Sequence, residues 1–143
     1  MQRILVVDDD KDILDVLKYI LEDSGYEVDT LDDGRFLFDS INKNHPDLIL
    51  LDVMLGNMDG RELCKQLKHE RKTHHIPVIL ISASHTIARF DDDDESPNDF
   101  IPKPFEINRL LNSVQKQLAA WSFSCLFSFR HLKFSTSITT CPV

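Results

Sequence analysis

Four short apolar runs, each closed by a residue able to do chemistry, constrain this chain more than any other feature. Leu48-Ile49-Leu50-Leu51 ends on Asp52, and Arg3-Ile4-Leu5-Val6-Val7 runs into Asp8-Asp9-Asp10. Pro77-Val78-Ile79-Leu80-Ile81 ends on Ser82, and Phe100-Ile101 leads to Lys103-Pro104. Runs this short do not make buried helices, and their unbroken apolar character suits strands covered on both faces, as in parallel sheets. Parallel sheets hold ligands at the carboxyl ends of their strands. As neighbours, these runs would gather acids, a hydroxyl and an ammonium at one edge, with Asp52 open to act as nucleophile or metal ligand. A lone Asp after a strand more simply caps the next turn; the fourfold repetition argues for a site.

Helical patterns separate the runs. Asp10 is placed to cap a helix whose apolar stripe is Ile13, Leu14, Leu17, Ile20 and Leu21, with Gly25 as a left-handed stop. Tyr26–Leu31 reads as a second strand, and 34–44 as a helix with Phe36, Leu37, Ser40 and Ile41 on one face, stopped by His45-Pro46. After Asp52 a loop to Gly60 leads to a helix with Leu63 and Leu67 turned inward. His69, His74 and His75 invite a metal reading, but adjacent side chains on an extended segment diverge, which favours a solvated loop. His85–Phe90 starts a helical pattern that Asp91–Glu95 and Pro97 continue poorly. Glu106–Ala120 is the cleanest helix, with Ile107, Leu110, Leu111, Val114 and Leu118 on one face. Alternating strands and helices predict an α/β doubly wound sheet, with right-handed crossovers placing helices on both faces.

Together the four run-ends, in order from Arg3 to Leu118, resemble the receiver domain of two-component response regulators. That resemblance implies a five-stranded parallel sheet in the flavodoxin-like order 2-1-3-4-5. It further implies that Asp52 accepts a phosphoryl group from a histidine kinase or histidine phosphotransfer protein, so the chain is a signalling phospho-acceptor and not an enzyme with a separate substrate. The implied cofactor is Mg²⁺, or Mn²⁺, held by Asp9, Asp52 and the backbone carbonyl of Met54, with Asp8 acting through water. Lys103 would meet a phosphoryl oxygen, held by a cis bond to Pro104; Ser82 would hydrogen-bond another; Phe100 stands at the family's aromatic switch. Three carboxylates this close raise one another's pKa unless a cation lies among them.

The chain departs from the family pattern in two places. Gly56 stands where receivers usually carry Pro, and the acidic run with Pro97 replaces the usual Ala-Gly-Ala before the fifth strand, on the output face. Residues 1–120 are therefore read as the receiver and 121–143 as a tail outside the family pattern. In that tail Trp121, Phe123, Cys125, Phe127 and Phe129 alternate in strand-like fashion, and the stretch Ser135–Thr140 reads as unstructured. A docking segment, an oligomerising strand and a non-native extension all fit it.

The 143 residues suit one domain, and 24 acidic residues against 16 basic ones, a net charge of −8, disfavour direct nucleic-acid binding. Cys64, Cys125 and Cys141 lack disulfide or zinc spacing, and no signal sequence or membrane-length apolar stretch is evident, so a cytoplasmic protein is expected. Two other readings compete. A haloacid-dehalogenase-like phosphatase would use Asp8 within Asp8-Asp9-Asp10, although Asp12 stands where that motif has Thr or Val. An interaction module with a vestigial pocket would not need the full set Asp8, Asp9, Asp52, Ser82 and Lys103.

Overall fold

The computed structural model describes residues 1–83 and 96–131, with side chains through Ala119. The expected helix start at His85–Phe90, the acidic run Asp91–Glu95 and the segment 132–143 lie outside the described residues. Five strands, β1 (Arg3–Val7), β2 (Glu27–Leu31), β3 (Leu48–Asp52), β6 (Val78–Ser82) and β7 (Asp99–Pro102), form one sheet in the order β2-β1-β3-β6-β7. Every pairing in it is parallel. This is the expected 2-1-3-4-5 arrangement. The connection after Asp52 adds a two-strand hairpin of its own, β4 (Met54–Leu55) against β5 (Met58–Asp59), turned by Gly56 at φ +60°.

Each strand alternates its side chains between the two faces of the sheet, and this divides the apolar runs into two cores. On one face Ile4, Val6, Leu48, Leu50, Ile79, Ile81 and Ile101 meet α1 (Lys11–Asp23) and α4 (Ile107–His131) through Leu14, Leu17, Leu21, Leu110, Val114 and Leu118. On the other, Leu5, Val7, Ile49, Leu51, Val78 and Leu80 meet α2 (Leu37–Lys43) and α3 (Gly60–His69) through Leu37, Ile41, Leu63, Cys64 and Leu67. An unbroken apolar run is what a strand between two such layers requires.

Helix ends follow local chemistry. The Asp10 carboxylate accepts from the Asp12 N–H at 2.9 Å and so caps α1, as expected; Gly25, at φ +97°, closes the helix. Asp59 caps α3 by accepting from the Arg61 N–H at 2.9 Å.

Four expectations need correction. The segment 34–44 opens as a 3₁₀ turn (Gly34–Phe36) before α2, and the tighter winding moves the phase of the apolar stripe. Phe36 is consequently exposed, with the Arg35 guanidinium 5.7 Å from its ring centroid, while Phe38 packs on the core. Ile107, in the first turn of α4, is exposed and not part of the buried face. The strand-like reading of Trp121–Phe129 is overturned: α4 runs without a break to His131, in a stretch that has no Gly or Pro to stop it. The segment carrying His74 and His75 is a turn and not extended, so the two rings do not diverge; they meet edge to face with centroids 6.0 Å apart. No helix among the described residues is long and apolar enough to cross a membrane.

Candidate functional site

The sheet ends in an acidic pocket. Asp8 follows the last residue of β1, Asp52 and Ser82 are the last residues of β3 and β6, and Lys103 follows β7. Because β1, β3, β6 and β7 are parallel neighbours, all four reach the same edge. Carboxylate oxygens of Asp8, Asp9 and Asp52 lie within 4.8 Å of one another, the one cluster of metal-ligating side chains found among the described residues. Asp8 and Asp52 are buried, 2 % and 6 % exposed, whereas Asp9 is exposed. A hard divalent cation takes such oxygen donors.

Buried carboxylates need partners, and the pocket supplies them. The Lys103 ammonium lies 3.0 Å from Asp8 Oδ2 and 3.3 Å from Asp52 Oδ2, bridging the two acids. Asp8 Oδ1 accepts from the Asp10 N–H at 2.9 Å, and Asp52 Oδ1 from the Met54 N–H at 3.3 Å. Asp9 Oδ2 accepts from the Gly56 N–H at 3.2 Å, which ties the acidic turn after β1 to the hairpin after β3. The Lys103–Pro104 peptide is cis, as expected, and the Lys103 N–H donates to the Ser82 carbonyl at 2.7 Å. Ser82 itself is buried.

The electrostatics are uneven. Burial first, and then the negative charge of Asp8, push the Asp52 carboxyl up to about 6, against the opposing pull of Lys103 and the Met54 N–H. Burial alone would lower Lys103; its hydrogen bond to Asp8 and the fields of Asp52 and Asp8 outweigh that, and the net shift is upward. The ammonium is therefore firmly charged, and Asp52 is an unusually basic carboxylate that is still ionised at neutral pH.

Phe100 is half-buried on β7, one strand position from Ile101, and packs against the core face that carries Leu5 and Leu80. Its N–H is held by the Asp99 carboxylate at 2.7 Å, and Asp99 also accepts from the Ser113 hydroxyl of α4. Met54 turns its side chain to solvent. Two contributors were not read from the sequence. A Cβ on Gly60 would stand 2.0 Å from the Asp52 carbonyl oxygen, so only glycine lets α3 begin against the acidic strand end. The Gly56 N–H is the second; a glycine directly after an Asp cap is the signal that points to the first.

The histidines lie at the opposite end of the sheet. His45 and His75 bring their rings to 5.6 Å with planes 18° apart, although 30 positions separate them in sequence. Burial first, then His45, His74 and Lys68, hold His75 below its ordinary value.

With this geometry in place, comparison with known proteins is direct. The family model described as the response regulator receiver domain matches residues 4–115. The chain belongs to that family. It is a receiver domain of two-component systems, and it is 37 % identical over 117 residues to the response regulator MprA of Mycolicibacterium vanbaalenii, covering 81 % of this chain and 50 % of that protein. The chain thus spans about half the length of the curated relatives it matches. Among solved structures, the receiver domain of a signal transduction histidine kinase from Syntrophus aciditrophicus matches with a TM-score of 0.74 at 29 % identity, covering both chains fully. The receiver domain of NtrX from Brucella abortus matches at 33 % identity and a TM-score of 0.70, over 81 % of this chain and 98 % of that one. The receiver reading prevails over the phosphatase alternative, and the nearly sealed Asp8, clamped by Lys103, agrees with that.

Proposed function

We propose that this receiver takes a phosphoryl group onto Asp52 from the phosphohistidine of a histidine kinase or histidine phosphotransfer protein, and that Mg²⁺ or Mn²⁺ assists. The observation that carries the reading is the convergence of Asp8, Asp9 and Asp52 around the Lys103 ammonium at the carboxyl edge of the sheet. The residues fit a hard cation: Asp9 and Asp52 as direct carboxylate ligands, Asp8 through water, and the backbone carbonyl of Met54. When bound, the ion supplies charge neutralisation for the incoming phosphoryl oxygens.

The chain's own residues account for the rest. Asp52 presents a carboxylate made more basic by its burial, ionised at pH 7, and fixed by the Met54 N–H and Lys103. The carboxylate attacks phosphorus in line; a P–O bond forms as the P–N bond to the donor imidazole breaks, leaving an acyl phosphate on Asp52. Lys103, whose ammonium already lies against Asp52, meets an oxygen of the phosphoryl group added there, and a charge held close to the acceptor in advance lowers a transition state. Ser82, at the end of the neighbouring strand, donates to another phosphoryl oxygen when its loop moves inward. Phe100 then fills the space vacated, and this change of surface is the output.

The same reading makes the domain a cytoplasmic signalling module whose catalysis is confined to its own phosphorylation and dephosphorylation. It takes residues 1–120 as the receiver and leaves 121–143 as an appended segment. Incubation with Mg²⁺ and a small acyl-phosphate donor, followed by peptide mapping of the modified residue, tests it. Labelling is expected on Asp52 and lost in Asp52→Asn. Labelling that survives in Asp52→Asn but disappears in Asp8→Asn would overturn the assignment.

A further inference from the structure

We propose that Gly56 is a positioning residue for the cation site: through its backbone N–H it holds the Asp9 carboxylate in the orientation in which Asp9 serves as a ligand. The inference rests on the cation reading given above and adds to it a residue that lies outside the acidic strand ends.

The three carboxylates of the pocket are not held alike. Asp8 is buried, with the Lys103 ammonium at 3.0 Å and the Asp10 N–H at 2.9 Å. Asp52 is buried too, with Lys103 at 3.3 Å and the Met54 N–H at 3.3 Å. Asp9 is exposed, and among the described residues the one hydrogen bond to its carboxylate comes from the Gly56 N–H, at 3.2 Å, across 47 positions of sequence. An untethered carboxylate on a surface turns among its rotamers, and binding must then fix it. The Gly56 N–H does this in advance. One N–H engages one lone pair of Oδ2, so the carboxylate keeps acceptor capacity for an ion. Hydrogen bonds that orient ligating carboxylates are a regular outer-shell feature of metal sites.

The residue type matters at this position. Gly56 stands at φ +60° in the turn between β4 and β5, a left-handed conformation that glycine adopts freely. A Cβ there would meet nothing within 4 Å, so the conformation and not the space calls for glycine. Proline, the residue that receivers usually carry here, has no N–H and a ring that fixes φ near about −65°. It can supply neither the donor nor this turn. The departure from the family pattern therefore falls on the contact that orients Asp9.

The same bond ties the hairpin after Asp52 to the turn after β1. Met54, whose carbonyl is a further ligand in the cation reading, is the first residue of that hairpin. Cation occupancy and the Gly56–Asp9 contact thus favour one another, and the coupling is reciprocal.

The test is calorimetric titration of the full chain with Mg²⁺ alone, no phosphoryl donor being present. Gly56→Pro should weaken Mg²⁺ binding about tenfold, whereas Gly56→Asn, which keeps the N–H in a turn that asparagine tolerates, should retain most of the affinity. In an Asp9→Ala background most of the loss caused by Gly56→Pro should vanish. Amide hydrogen exchange of the unsubstituted chain gives a second readout that needs no change at Gly56: saturating Mg²⁺ should slow exchange at the Gly56 amide, and in Asp9→Ala that amide should exchange faster and ignore Mg²⁺. A loss in Gly56→Asn as large as in Gly56→Pro, a Gly56→Pro loss undiminished in Asp9→Ala, or a Gly56 amide indifferent to Mg²⁺ in the unsubstituted chain would overturn the proposal. An affinity unmoved by Asp9→Ala, or no Mg²⁺ binding at all, would remove the cation reading beneath it, and the proposal with it.

Discussion

Replacing Asp52 by Asn should make the metal-free domain more stable, although it removes the residue on which the proposed chemistry depends. The carboxyl rises from 3.8 to about 6 on folding because burial and the charge of Asp8 penalise its ionised form. A shift of roughly two units corresponds to about 3 kcal/mol. Asp52 interacts with Asp8 and Lys103 at once, so removing one carboxylate of the group reduces the expected effect to about 1–2 kcal/mol. The sign follows from linkage: the folded state holds the proton more tightly than the unfolded chain, so this contribution favours folding below about pH 4 and is lost as pH rises through about 6. The amide of Asn carries no charge at any of these values. The stability difference between Asp52→Asn and the parent should therefore be near zero at pH 4, grow between pH 4 and 6, and level off above that. Urea unfolding in EDTA, repeated at half-unit steps of pH, measures it. Saturating Mg²⁺ should shrink the gap at neutral pH, because the ion stabilises the parent's carboxylates. A variant no more stable than the parent at pH 7.5 in EDTA, or a difference that is flat across pH 4–7, would refute the reasoning.

Three further outcomes are expected. Gly60→Ala forces a methyl group to within 2.0 Å of the Asp52 carbonyl oxygen, where only backbone can yield, so a loss of about 2–3 kcal/mol in urea unfolding and slower Asp52 labelling should appear together. Lys103→Gln leaves the buried Asp8 and Asp52 carboxylates without their cation; the metal-free domain should lose about 3 kcal/mol, and Mg²⁺ should restore part of that in the same unfolding assay. Ser82→Ala should still accept phosphate on Asp52 but blunt the chemical-shift change of Phe100 produced by a phosphoryl mimic; an undiminished Phe100 response would break the proposed link between the hydroxyl and the switch.

The sheet was readable in the sequence because strands buried on both faces cannot hide: Leu48–Leu51 and Val78–Ile81 have nowhere to place a polar side chain. The site was readable for the same reason, since the first polar residue after each run stands at the sheet edge. What escaped depended on phase or on distance along the chain. Phe36 and Phe38 exchange roles because a single 3₁₀ turn shifts the helical phase, which a residue pattern with a fixed 3.6 period does not register. The aromatic alternation after Ala120 matches a strand locally, yet it continues a helix already nucleated over four turns, and extending a helix costs less than starting a strand without a partner. His45 pairs with His75 only because two connections meet beneath adjacent strands, and the requirement for glycine at position 60 arises from a backbone contact with Asp52.

Each polar member of the acidic pocket stands within two residues of a fully packed one: Val7 before Asp8, Leu51 before Asp52, Ile81 before Ser82, Ile101 before Lys103. Side chains along a strand alternate, so sliding any of these strands by one position would bury a carboxylate in an apolar layer and leave an aliphatic group in the pocket. The alignment of the core is therefore also the alignment of the chemistry, with no flexible linker between them to absorb error. A labelling rate at Asp52 would then serve as a gauge of packing some distance away: a substitution deep in the sheet, at Leu50 or Ile79, should be audible at the pocket before it is visible as unfolding.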